Sequence, residues 1–233
     1  MTKKAFITGA TGYTGREVVS QLVKRGVDTV AHIRPGSAAR EEWTRRFAEL
    51  GAVVDVTPWD EDAFAETLRR VRPDLLFFLV GTTKSRMRSS DEDASYEAID
   101  YGLFKLLIDA CHSAEIRPKI LYLSALGTGP SARNAYYRAR WKSEEALRES
   151  DLPYLIARPA MITGPDRPES RPLERFGGAL ADLGAEAMKL VGARQTAARW
   201  RSATASELAG ALIDYALDEQ IVDVVLESQD LKT

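Results

Sequence analysis

Gly9, Gly12 and Gly15 stand at three-residue intervals in the stretch Thr8-Gly9-Ala10-Thr11-Gly12-Tyr13-Thr14-Gly15-Arg16. The apolar run Ala5-Phe6-Ile7 precedes them, and Val18, Val19, Leu22 and Val23 follow at helical spacing. A strand, a glycine-rich turn and a helix in that order make a site for a dinucleotide pyrophosphate. Gly9 allows the sharp turn off the strand, and Gly12 lets backbone N–H groups approach the phosphates. Gly15 removes a side chain where the helix must pack against the sheet. The unpaired N–H groups and the positive dipole end of the helix then face the pyrophosphate. The next apolar run, Val27 to Ile33, ends in Arg34. An NAD site places an acidic residue about there for the ribose 2′-hydroxyl, whereas an arginine suits a 2′-phosphate. Arg16 supplies a second cation, so the pair favours NADP(H) over NAD(H).

Other chemistries find less support. His32 and His112 lie far apart in sequence and are joined by a single cysteine, Cys111, so no metal-ligand spacing is present. There is no Gly-x-Ser-x-Gly elbow for a hydrolase, and no Gly-Lys-Thr/Ser follows the first loop as a P-loop ATPase would need. Arg171, Arg175, Arg194, Arg199 and Arg201 read as solvated surface, with contact to an anionic substrate as the sharper alternative. Lys84, Arg86 and Arg88 ahead of Asp91, Glu92 and Asp93 read as a solvated loop, or as a lid over the cofactor.

The elements that must position these residues follow from patterning. Hydrophobic residues make up 45% of the 233 and charged ones 28%, enough for a buried core. A net charge of −2 with mixed signs gives no field for nucleic acid or an anionic membrane. Cys111, beside Leu107, Ile108 and Ala110, reads as a packed helix position and excludes an internal disulfide. Met-Thr-Lys-Lys runs into the first strand with no signal-peptide pattern, and no apolar run approaches the ~18 residues that span a bilayer. A cytoplasmic protein is the expectation.

Strand-like and helix-like segments alternate, which predicts a doubly wound α/β fold with a parallel sheet of six or seven strands. After Pro35-Gly36-Ser37 a helix is expected over about 38–50, ended by Gly51, then a short strand over 52–56. Asp60 to Arg70 reads as an amphipathic helix with Phe64, Leu68 and Val71 on one face. Leu75 to Val80 is the most apolar strand, covered on both faces, and stops at Gly81-Thr82-Thr83. A long helix is expected over 94–114, a strand over 119–124, a helix over 136–149 and a strand over 153–157. Prolines at 159, 165, 168 and 172 mark an irregular segment. Thr204-Ala205-Ser206-Glu207 matches a capping box, and a last strand is expected over 221–226. Residues 1–157 are expected to form the dinucleotide-binding core and 158–233 a small C-terminal substrate-binding extension of the same domain.

With these residues in place, the chain resembles the extended and atypical short-chain dehydrogenase/reductases. Among them it is most similar to the NmrA-like and Tat-interacting-protein-like NAD(P)-binding oxidoreductases. The resemblance rests on the spacing G-x-x-G-x-x-G from Gly9 to Arg16, the strand end at Arg34, and Gly81-Thr82-Thr83. Asp100-Tyr101, Leu107-Ile108-Asp109-Ala110, Ser124-Ala125-Leu126-Gly127 and Arg158-Pro159-Ala160 leading to Gly164-Pro165 complete it. It implies a cofactor site of Gly9, Thr11, Gly12, Tyr13, Thr14, Gly15, Arg16 and Arg34. Asp55 or Val56 would contact the adenine, Gly81 and Thr82 would pass beside the adenosine ribose, and the segment after Pro159 would border the nicotinamide.

The family's chemistry uses a serine after the fifth strand and a Tyr-x-x-x-Lys pair on the following helix. The tyrosine is the acid/base toward a carbonyl or alcohol oxygen, the lysine lowers its pKa and contacts the nicotinamide ribose, and the serine orients the substrate. Carried over, these roles fall to Tyr136, Arg140 and Ser124. The sequence departs from the pattern at the second, since Arg140 stands where the lysine would, and an arginine cannot relay a proton at neutral pH. The usual serine pair is Ser124-Ala125, and the family's helix-four asparagine falls near Asp100. The resemblance implies an NADP(H)-dependent oxidoreductase acting on a small carbonyl or alcohol. The alternative is a non-catalytic NAD(P)(H)-binding regulatory or sensor protein, which the altered Tyr-Lys pair favours. An NAD-dependent epimerase or dehydratase fits less well, because only 75 residues follow Arg158. A homodimer through exposed long helices is the expected assembly, with no metal, nucleic acid or membrane partner.

Overall fold

In the computed structural model, residues 2–81, 96–160, 162–163 and 203–231 are described. Seven parallel strands form one sheet: β1 (Lys4–Thr8), β2 (Asp28–His32), β3 (Val53–Asp55), β4 (Leu75–Phe78), β5 (Lys119–Leu123), β6 (Tyr154–Arg158) and β9 (Val224–Glu227). Their order is β3-β2-β1-β4-β5-β6-β9, so the chain winds outward from β1 in one direction and from β4 in the other. That reversal between β1 and β4 opens a crevice beyond the carboxyl ends of the two strands, where doubly wound sheets bind ligands. A separate two-stranded sheet pairs β7 (Ile162–Thr163) with β8 (Ala203–Thr204).

Both faces of the sheet are buried, and the alternation within each strand divides the core in two. Ala5 and Ile7 of β1 and Leu75 and Phe77 of β4 face one layer, with Val18, Val19 and Leu22 of α1 (Tyr13–Lys24). Phe47 of α2 (Arg40–Leu50) and Leu208, Leu212 and Ile213 of α6 (Ala205–Leu217) complete that layer. Phe6, Leu76 and Phe78 face the other, with Phe64 and Leu68 of α3 (Glu61–Val71) and Phe104, Leu107 and Cys111 of α4 (Leu103–Ser113). Leu147 of α5 (Ala135–Arg148) closes it. Burying one such side chain stabilises the fold by about 1.5–3 kcal/mol, which is why the apolar runs lie in the centre of the sheet.

Local chemistry sets the ends. The Asp60 carboxylate accepts the Ala63 N–H at 3.0 Å, and Asn134 caps α5 through the Tyr136 N–H at 2.8 Å. Thr204 and Glu207 close the reciprocal capping box at the start of α6. Gly51, at φ 94°, ends α2 in the left-handed conformation. Three elements differ from the sequence expectation. The long helix opens with a π-helical turn, Glu97–Gly102, ahead of α4. The third strand is only Val53–Asp55. The last begins at Val224 because Asp223, at φ 57°, makes a left-handed turn just before it.

Candidate cofactor-binding site

The glycine turn between β1 and α1 borders the crevice. Gly9 has φ 74°, and a Cβ there would stand 2.6 Å from the Leu79 carbonyl carbon at the end of β4. Its carbonyl accepts the Gly12 N–H at 2.9 Å, and a Cβ on Gly15 would run into that same carbonyl oxygen. Gly9 and Gly15 therefore leave no room for a side chain, Gly9 against the end of β4 and Gly15 against the backbone of the turn itself rather than against the sheet. α1 begins at Gly12 with no side-chain cap and no acidic residue in its first turn. The positive dipole end of the helix meets no acidic side chain of that turn, so the cradle fits a pyrophosphate. Thr14 is buried, Thr11 and Tyr13 are half-buried, and the Arg16 guanidinium lies 5.1 Å from the Tyr13 ring centroid.

At the end of β2, Arg34 is exposed, and its guanidinium has no hydrogen bond or ion pair among the described residues. Its carbonyl accepts the Ser37 N–H at 3.1 Å, which closes the following turn. Across from it, Asp55 is nearly buried. Its carboxylate accepts the Thr57 N–H at 3.0 Å and the Thr57 hydroxyl at 3.1 Å, with Arg70 at 3.7 Å. Val56 is 45% exposed on the same rim. Beneath them His32 donates from Nε2 to the Thr57 carbonyl at 2.8 Å and packs among Phe6, Trp59 and Phe64. Burial holds its pKa below the ordinary value, against the opposing effects of that hydrogen bond and of Asp55. His32 therefore stays neutral and supports the rim that carries Asp55 and Thr57.

On the other side of the crevice, α5 carries Tyr136, Arg140, Glu144 and Arg148 at four-residue intervals along one face. Arg140 is only 5% exposed. Nη1 donates to the Leu123 carbonyl and to the Tyr122 hydroxyl at 3.4 Å, and Nη2 lies 3.7 Å from the Asp100 carboxylate. The guanidinium sits between the Tyr122 and Tyr136 rings, 5.6 and 5.2 Å from their centroids. Its Nε–H has no hydrogen-bond partner among the described residues. A Cβ on Gly81 would stand 3.1 Å from Nη2, so the absence of a side chain at the end of β4 makes room for the guanidinium. Burial pulls the guanidinium pKa down, but Tyr122, Tyr136 and Asp100 together hold it above its ordinary value. Burial likewise pushes the Tyr122 phenol up to about 12, against the pull of Arg140.

Ser124 follows β5 and meets Glu144, one turn beyond Arg140 on that face. Its hydroxyl donates to Glu144 Oε1 at 2.6 Å. A serine has one proton to give, so the 3.3 Å contact with Thr128 Oγ1 is donated by the threonine. Glu144 is fully buried and also accepts from Arg148 Nη2 and Arg158 Nε, each at 2.9 Å, and from Arg158 Nη2. Arg158 reaches on to Glu227 at 3.0 Å, which ties α5, β5, β6 and β9 together at their carboxyl ends. Pro159 is buried, and its carbonyl accepts the Leu126 N–H at 2.9 Å. Tyr136 is half-buried, packed edge-on against Tyr96 and Tyr137, with its hydroxyl unbonded among the described residues.

The structure thus brings Tyr136, Arg140, Gly81 and Asp100 together, and sets Ser124 in a second cluster with Glu144. Tyr122, Glu144 and Arg158 were not singled out from sequence as polar partners. The four-residue spacing from Tyr136 through Arg140 to Glu144 was the available signal. Thr82, the loop of residues 84–93, Gly164, Pro165 and the arginines at 171, 175, 194, 199 and 201 lie outside the described residues. Among the described residues no group of three or more His, Cys, Asp or Glu is placed to hold a metal ion, and no helix is long and apolar enough to cross a membrane. Cys111 is buried, and burial pushes its thiol up to about 12, so it remains a packed thiol.

A family model described as NAD(P)H-binding matches residues 9–182. The mitochondrial NADH dehydrogenase (ubiquinone) 1 alpha subcomplex subunit 9 of Arabidopsis thaliana is 29% identical over 162 residues, which cover 69% of this chain and 38% of that protein. The chloroplastic Protein TIC 62 of Arabidopsis thaliana is 30% identical over 185 residues, covering 70% of this chain and 27% of that protein. The chain therefore spans well under half the length of these two relatives. The triphenylmethane reductase of a Citrobacter species, solved in complex with NADP(H), superposes with a TM-score of 0.61 at 18% identity, covering 96% of this chain and 68% of that one.

Proposed function

The chain belongs to the NAD(P)H-binding family, with an NmrA-like Rossmann fold, and on that premise we propose that it is an NADP(H)-binding regulatory or sensor protein. Gly9, Gly12 and Gly15 and the uncapped start of α1 would hold the pyrophosphate. Arg34, exposed and unpaired among the described residues, would take the 2′-phosphate, with Arg16 as a second cation. Asp55 and Val56 would border the adenine. When bound, the dinucleotide supplies a nicotinamide ring able to give or accept a hydride.

The observation that carries the regulatory reading is where the polar groups of the second half-site spend their hydrogen bonds. Ser124 gives its only proton to a buried carboxylate, so it has none for an oxygen that gains charge during reduction. Arg140 commits both Nη atoms to Leu123, Tyr122 and Asp100, and it stays charged at neutral pH. The serine and the cation that orient a substrate and its cofactor in a dehydrogenase are used here to hold α5 against the sheet.

A second reading, an NADP(H)-dependent oxidoreductase acting on a small carbonyl or alcohol, is favoured by Tyr136. Its phenol is half-buried beside Arg140 and is not tied by a hydrogen bond among the described residues. One pair of measurements separates the readings. Calorimetric titration with NADPH and NADH should give micromolar or tighter binding of NADPH and much weaker binding of NADH. A panel of small aldehydes and ketones should then leave NADPH absorbance unchanged over hours. Turnover that is lost in Tyr136→Phe with NADPH affinity retained would establish the second reading and discard the first.

A further inference from the structure

We propose that Thr57 is the positioning residue of the adenine subsite, holding the Asp55 carboxylate at the end of a directed hydrogen-bond chain that starts at Thr67. The inference rests on the reading that the dinucleotide binds in the crevice with Asp55 beside its base. The order of the strands supports that reading. The glycine turn follows β1, Arg34 closely follows β2 and Asp55 ends β3, and the three strands lie side by side in that order. A pyrophosphate at the first and a 2′-phosphate at the second leave the base to the third.

The side chain of Asp55 is only 9% exposed, and Thr57 engages both of its oxygens. The Thr57 N–H donates to Oδ1 at 3.0 Å and the Thr57 hydroxyl to Oδ2 at 3.1 Å. A carboxylate offers only lone pairs, so the hydroxyl gives its one proton there. The 2.8 Å bond between Thr57 Oγ1 and Thr67 Oγ1 is then donated by Thr67. The chain runs one way, from Thr67 through Thr57 to Asp55, and each bond polarises the next. Thr67 is buried on α3, and His32 of β2 fixes the main chain of Thr57 by donating to its carbonyl at 2.8 Å. Thr57 is thus tied to two elements of the fold, whereas Arg70 reaches Asp55 only at 3.7 Å from a side chain that is 68% exposed. The lone pairs that Thr57 leaves on the carboxylate are satisfied only by a donor. The 6-amino group of adenine is one, and a 6-oxo group in its place sets oxygen against oxygen.

Calorimetric titration of the full chain with NADPH and with deamino-NADPH, its hypoxanthine analogue, tests this without requiring turnover, since the two ligands differ only around position 6 of the purine. Wild type is expected to bind NADPH at least roughly tenfold more tightly than the analogue. Thr57→Val keeps the shape and the backbone bond to Oδ1 but removes the hydroxyl, and should narrow the ratio to within about threefold. Thr57→Ser restores the hydroxyl and should restore the ratio. Thr67→Val should narrow it by less, and should add nothing on top of Thr57→Val, because its hydroxyl acts through Thr57. A Thr57 that merely supported the fold would weaken both ligands equally, so an unchanged ratio in Thr57→Val overturns the proposal. A wild type that binds NADPH tightly and does not distinguish the analogue removes the base from Asp55, and the proposal with it. A wild type that binds neither ligand removes the dinucleotide reading itself.

Discussion

Glu144 is the place where a single buried charge does most for this fold. Its carboxylate has no exposed surface, and four donated hydrogen bonds converge on it: one from Ser124, one from Arg148 and two from Arg158. Arg158→Met removes two of these and leaves the carboxylate with Ser124 and the half-exposed Arg148. Losing one partner of a buried pair costs about 3–5 kcal/mol, because the other stays desolvated without compensation. Glu144→Gln keeps an acceptor for one arginine but not the charge, and the arginines are 15% and 30% exposed and can turn toward water. That change should cost less, about 2–3 kcal/mol. The double variant is the informative one. With both groups gone no fully buried charge is stranded, and Arg148 and Glu227 are each exposed enough to turn toward water, so its loss should fall short of the two single losses added together by at least ~1.5 kcal/mol. Urea unfolding followed by circular dichroism, with equal slopes across the four proteins, gives these values directly. Additive losses within ~0.5 kcal/mol would refute the claim that Glu144 and Arg158 are one buried unit.

Three further outcomes are expected. Gly15→Ala places a methyl group against the Gly9 carbonyl oxygen, with backbone on both sides and no flexible end to yield. NADPH binding measured by fluorescence should be abolished, whereas Gly26→Ala, in open space at φ 74°, should cost about 1 kcal/mol of stability and leave binding unchanged. Arg34→Asp should weaken NADPH by roughly 1.5–3 kcal/mol in calorimetry while sparing NADH, and equal losses for both would remove Arg34 from the 2′-phosphate site. His32 has a pKa depressed by burial, so below its ordinary value of 6.5 the unfolded chain takes up a proton that the folded chain does not. Its contribution to stability is therefore full above pH 6.5 and declines as the pH falls from there toward the folded pKa, by at most ~1.4 kcal/mol per pH unit. His32→Gln should flatten that part of the stability curve, and an identical slope would mean other groups carry it.

What sequence determines here is what neighbours along the chain determine. The three glycines, the apolar runs of β1 and β4, the capping box at Thr204 and the left-handed stop at Gly51 are decided by backbone sterics and by hydrogen bonds within a few residues. They read correctly before any fold is known. The glycine turn was legible for the same reason, since its parts are contiguous from Gly9 to Arg16. The order of the strands and the pairing of β9 with β6 depend on which faces find each other across more than sixty residues. The second half-site depends on tertiary structure still more closely. Ser124 and Arg140 have the residue types and spacing of chemistry. Whether a hydroxyl gives its proton to a ligand or to Glu144, and whether a guanidinium faces solvent or Asp100, is set by partners brought in from other elements. A hydrogen bond has a direction and a buried charge has a counter-charge. Neither is written in the residue that carries it, so the tertiary structure alone decided them.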